Sequence, residues 1–86
     1  MKKIIEVTDA QGLDGLLGEQ VLLLCSAYFY TGKLTGVNET FVELENPSIV
    51  YETGPWTERG YKDSQTLHVS KFFVQRAAIE SFGVSK

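Results

Sequence analysis

The chain predicts a mostly-β domain, with a short N-terminal helix followed by five strongly bent antiparallel strands coiled into a small barrel. Its apolar residues fall in strand-length runs, the longest being Val21-Leu22-Leu23-Leu24-Cys25. Val42 and Leu44 alternate with Phe41, Glu43 and Glu45, the period of a strand with one buried face. Gly32 interrupts a strand pattern, and Asn46-Pro47 follows the alternating run. Both are places where a sheet can bend sharply enough to curl on itself.

Taken in order, residues 1–8 read as extended or partly ordered. Asp9 is a suitable cap for a short helix carrying Leu13, Leu16 and Leu17 at helical spacing. Gly12, Gly15 and Gly18 weaken that helix, and Gly18 suits its C-terminal stop. A first strand is expected from about 19 to 29, a second over 30–37 and a third over about 40–44. Asn38 fits the turn between the last two, because its side chain bonds nearby backbone groups. Asn46-Pro47-Ser48 reads as a turn or bulge and Ile49-Val50-Tyr51-Glu52 as renewed strand. Residues 53–65 are polar and glycine-bearing, a loop or long hairpin tip of a length more often functional than merely connecting. A fourth strand is expected over about 66–74, a tight turn at Gln75-Arg76, and a fifth strand over 77–82, with Val84-Ser85-Lys86 a frayed end.

With 86 residues the chain is expected to be a single domain over 1–86, its core lying between about 9 and 82. A chain this short buries only roughly 60–65% of its unfolded surface, so a lone subunit would be marginal. No apolar run approaches the ~20 residues of a membrane span. The basic start Met1-Lys2-Lys3 is broken by Glu6 before any hydrophobic stretch, so no signal peptide is read and a cytoplasmic location is expected. The single cysteine, Cys25, sits among leucines and reads as a small buried hydrophobe. A net charge of −3 argues against broad electrostatic binding of nucleic acid and leaves room for a local basic pocket.

The stretch Tyr30-Thr-Gly32-Lys-Leu34-Thr-Gly-Val37-Asn38 followed by Phe41-Val42-Glu-Leu44 resembles the first signature of the Sm-like family, the small RNA-associated β-barrels that include bacterial Hfq. Gly32, Leu34, Val37 and Asn38 match its glycine, leucine, apolar and acidic positions, with Asn in place of the usual Asp. Phe41-Val42 stands where the eukaryotic and archaeal members carry a base-contacting asparagine. Val74-Gln75-Arg76-Ala77-Ala78-Ile79 resembles the second signature in its Hfq-type form, Arg76 standing for its lysine and Ala78-Ile79 for its Ala-Ile. The whole chain, including residues 49–56, also resembles uncharacterised Sm-like proteins of phage and marine environmental origin. The resemblance implies an SH3-type barrel, assembly of identical chains into a ring by edge-strand pairing, and contact with single-stranded RNA.

Four residues are candidates for RNA contact: Arg76, Asn38, Tyr28 and Tyr30. Arginine can pair bidentately with phosphate or stack on a base, though Arg76 could equally pair with Glu80 or a neighbour's acid. Strand parity groups Phe29 with Val21, Leu23 and Cys25 in the core, leaving Tyr28 and Tyr30 on the other face as stacking platforms or subunit contacts. Phe72, Phe73, Val74, Ala78 and Ile79 are candidates for an interface, since they fall in the last strands with only Lys71 and Arg76 as charged guards. Trp56 in the long loop is either folded against the body or offered to another protein.

His68 is expected on a solvent-facing strand position. One histidine and one cysteine cannot supply a transition-metal site, and no catalytic dyad or phosphate-cradling loop is indicated. The reading is therefore a non-enzymatic ring subunit without a cofactor. It either binds single-stranded RNA or has kept the barrel as a structural or protein-interaction unit.

Overall fold

A computed structural model describes residues 12–85. Six strands follow one another: β1 (Gln20–Cys25), β2 (Phe29–Val37), β3 (Phe41–Glu52), β4 (Asp63–Thr66), β5 (Lys71–Gln75) and β6 (Ile79–Val84). All pair antiparallel in a single sheet ordered β4-β3-β2-β1-β6, with β5 joined to β3. The mostly-β expectation holds. The barrel is not closed, because among the described residues β5 and β6 each pair on one side only.

The expected helix is reduced to a three-residue 3-10 turn, Asp14–Leu16. Its proposed cap, Asp9, lies outside the described residues. Leu13 is buried and Leu16 packs on the core, but Leu17 is exposed, so a single tight turn cannot present all the leucines to one side. Gly18 takes φ +89° and its amide donates to the Leu34 carbonyl at 2.8 Å, which steers the chain into β1.

The two expected bends are one feature. Thr31 faces Ser48 and Lys33 faces Glu45, so Gly32 alone stands opposite Asn46-Pro47. Asn46 carries the extra residue at φ +52°, the left-handed region asparagine tolerates. A Cβ on Gly32 would lie 3.2 Å from the Glu45 carbonyl, 3.2 Å from the Leu44 Cβ and 3.3 Å from the Pro47 Cα. The backbones approach that closely because no side chain intervenes. Since the bulge does not break the ladder, the two strands expected over 40–44 and 49–52 form one, β3. A second irregularity between Leu34 and Gly36 turns Thr35 aside, and its hydroxyl donates to Glu43 Oε1 at 2.8 Å.

Leu23, Leu34, Val42 and Leu44 are fully buried and come from β1, β2 and β3, which wrap around them. Each such burial stabilises by about 1.5–3 kcal/mol. Parity does not carry from β1 into β2. The turn Ser26–Tyr28 resets it, so Tyr30 stands opposite Leu23 and packs on the core, while Phe29 stands opposite Leu24 and is only half-buried. The expected places of Tyr30 and Phe29 are thus exchanged.

The segment expected as a loop over 53–65 is a hairpin whose second arm, β4, begins at Asp63 and runs back along β3. The expected fourth strand divides into the end of β4 and β5, and His68 lies exposed between them, outside any strand. A 3-10 turn over Arg76–Ala78 shifts the last strand two residues later than expected, and Val84 belongs to it. Ser85 is tied in place: its amide donates to the Gln20 carbonyl at 2.7 Å, and its hydroxyl lies 2.7 Å from that of Tyr61. Among the described residues no helix is long and apolar enough to cross a membrane.

Candidate functional site

Two turns distant in sequence meet at one end of the sheet. Between β2 and β3, Asn38 Oδ1 accepts the amides of Thr40 and Phe41 at 2.8 Å each, while the Asn38 amide donates to the Phe41 carbonyl at 3.0 Å. This is the local turn chemistry for which asparagine is suited. Between β5 and β6, the Arg76 amide donates to the Thr40 carbonyl at 2.8 Å and Arg76 Nη1 donates to the Asn38 carbonyl at 2.8 Å. Two of the sequence candidates, Asn38 and Arg76, are therefore neighbours.

Their roles differ. The Asn38 carbonyl oxygen of the side chain is occupied by its own turn, which leaves only the amide nitrogen for a ligand. Arg76 is half-buried. A guanidinium carries several N–H donors in a planar fork, and one carbonyl engages one of them. The contact fixes where the fork sits, and it goes to a backbone carbonyl and not to Glu80.

Tyr28 and Tyr30 lie at the opposite end of β2 from Asn38. Tyr28 meets Tyr51 edge-on with ring centres 5.7 Å apart, and Tyr30 meets Phe72 at 5.3 Å. Between the β1–β2 turn and β5 opens a groove of about 210 Å³ lined by Cys25, Tyr28, Tyr30, Phe72, Val74 and Ala78 among others, none of them charged. Burial pushes the Cys25 thiol up, and Tyr30 is raised by burial first and then by Cys25, Tyr28 and Tyr51 beside it. Both groups keep their protons at neutral pH, so the groove holds neither a thiolate nor a phenolate. It offers apolar contact.

The interface candidates divide in the same way. Val74 is buried in the core, Phe72 and Ile79 pack against it half-buried, and Ala78 is exposed. Phe73 points away from the core, meeting Phe41 edge-on at 5.2 Å. Trp56 is 57% exposed at the hairpin tip, where Gly54 and Gly60 take positive φ. In the same hairpin Lys62 Nζ lies 3.4 Å from Glu52 Oε1 at the surface.

Sequence reasoning missed Tyr51, Phe82 and Val84, all well exposed. Tyr51 escaped notice because its meaning depends on its neighbour across the sheet. For Phe82 and Val84 the clue was slight: the two are apolar at alternate positions, but Glu80 breaks the alternation before them.

Fold and site together define a small antiparallel β domain with two edges unpaired among the described residues and a basic residue clamped at one end. No protein-family model matches this chain, and no curated protein or solved structure matches it either.

Proposed function

We propose that this chain is an Sm-like, non-enzymatic subunit that assembles with identical copies into a ring and offers Arg76 to single-stranded RNA. The observation that carries the reading is the Asn38–Arg76 contact, which brings together the polar positions of both signature-like segments across 38 residues of chain. Assembly is supported by the edges: among the described residues β5 and β6 each have a partner on one side only, and exposed edges invite pairing. A ring places one Arg76 per subunit around a common axis. That gathers positive charge locally on a chain whose net charge is −3, and phosphate binding depends on such local density.

The test is fluorescence anisotropy with short uridine-rich and adenine-rich RNA at low salt, on wild type and Arg76→Ala. Micromolar binding by wild type and its loss in an intact Arg76→Ala oligomer are expected. Binding untouched by Arg76→Ala would move the site away from this node.

A second reading, a structural or protein-interaction ring subunit without RNA readout, is favoured by one observation. Asn38 Oδ1 is held by its own turn, and Tyr28 and Tyr30 stand at the far end of β2, so of the four candidates only the Asn38 amide nitrogen accompanies Arg76. In that case the exposed Trp56 hairpin is the surface for a protein partner. Absence of RNA binding by wild type would select this reading.

A further inference from the structure

The register of β6 on β1 places Phe82 opposite Leu23 and Val84 opposite Val21. Directly opposed residues of an antiparallel pair share a face of the sheet. Leu23 and Val21 are fully buried, so Phe82 and Val84 also lie on the core face, yet they are 42% and 61% exposed. At the other lip of the open sheet β5 also turns Phe72 and Val74 to the core face, opposite Leu44 and Val42, and there Val74 is buried and Phe72 half-buried. Beside those residues lies the uncharged aromatic groove, and Phe82 of the same chain does not line it.

We propose that this groove is the socket for Phe82 of a second copy of this chain, so that each subunit completes the core of the next. The inference rests on the assembly reading above and adds which side chain enters which cavity. One chain supplies both halves of the fit: an apolar socket beside one unpaired edge, and bare core-face residues on the other. The charges do not oppose the contact: Lys71, which starts β5, already lies 3.8 Å from Glu43 of its own chain, and Glu80 is the one charged residue of β6. Such a contact joins unlike surfaces, so each copy in a pair keeps a plug or a socket for a further neighbour. The series closes into a ring when the rotation between copies permits and runs on as a filament when it does not. The aromatic plug loses its water in the socket, which makes it the dominant residue of the contact.

The test uses Cys25, which lines the socket, as a native reporter. In Phe82→Cys, mild oxidation is expected to give a non-reducing ladder of dimers and larger species that disappears when Cys25→Ser is added. A same-chain bond is disfavoured: Cys25 stands two residues along β1 from Leu23, the direct partner of Phe82, and such diagonal neighbours lie about 7–8 Å apart, beyond ordinary disulfide reach. Phe82→Glu is expected to reduce the light-scattering mass from oligomer to single chain with an unchanged circular dichroism spectrum. An oligomeric wild type whose mass survives Phe82→Glu, with no Cys25-dependent ladder, overturns the socket and leaves assembly standing. A monomeric wild type at micromolar concentration with no ladder overturns both.

Discussion

β4 and β5 lie end to end along one edge of β3, and they are held there by different physics. β5 pairs with Phe41–Glu45 and sends Val74 and Phe72 into the core beside Val42 and Leu44. β4 pairs with the far half of β3, but all of its residues are exposed. Its side-chain contacts, Ser48 with Thr66 at 3.5 Å and the nearby Glu52–Lys62 pair, are at the surface, where such contacts contribute little. The Asn46-Pro47 bulge divides the two regimes. A shared hydrogen-bonded edge thus does not make two strands equal members of a fold; what lies beneath the ladder decides. β5 belongs to the body, whereas β4 is an arm whose own residues bury nothing beneath its ladder.

The largest expected effect is in the body. Leu44→Ala leaves a cavity under β5 and is expected to cost about 2–5 kcal/mol in denaturant unfolding, while Thr66→Ala on β4 changes stability by no more than about 0.5 kcal/mol. Equal losses would erase the distinction between body and arm. Next comes the boundary. Gly32→Val forces a branched side chain against the Glu45 carbonyl, Leu44 Cβ and Pro47 Cα, at an expected cost of about 1–3 kcal/mol. Lys33→Val, at an exposed neighbour, is the control and should be near neutral. Similar thermal midpoints for the two variants would mean that the bulge does not depend on close backbone approach. The smallest effect sharpens the arm itself. Tyr61→Phe removes the 2.7 Å hydroxyl contact with Ser85 and is expected to cost about 1 kcal/mol or less. Its signature is faster amide exchange at the base of the hairpin, with β1 and β2 protection unchanged.

What was legible in the sequence followed local rules. Period-2 alternation at Val42 and Leu44 identified a buried face correctly, and Asn38 behaves as its turn chemistry requires. Gly32 and Asn46-Pro47 were each recognised as irregular, but not as partners, because register across strands is absent from a single line of residues. Tyr30 and Phe29 exchanged places because parity depends on how many residues the Ser26–Tyr28 turn consumes, and that turn has no glycine or proline to declare its length. The helix over Leu13–Leu17 failed for a physical reason: three nearby glycines and a short span give too few hydrogen bonds to offset nucleation. At the site, the proximity of Asn38 and Arg76 was not expected, because it depends on how β5 docks on β3. The separation of Asn38 from Tyr28 and Tyr30 was implicit in the strand expected over 30–37; that Arg76 joins the Asn38 end had no counterpart in the sequence.

The pairing of β1 with β6 also governs the order in which the chain acquires its shape. β2 and β3 are joined by a tight turn, so their ladder can zip from near neighbours, whereas Val21 must find Val84. Joining such distant segments carries the larger loop-closure entropy and comes late in folding. Until it happens, the outer edge of β1 has no cover among the described residues, and its Val21-Leu22-Leu23 run is wholly apolar. The last strand to dock is therefore a kinetic guard for the first, closing during folding the segment most prone to pair with a stranger.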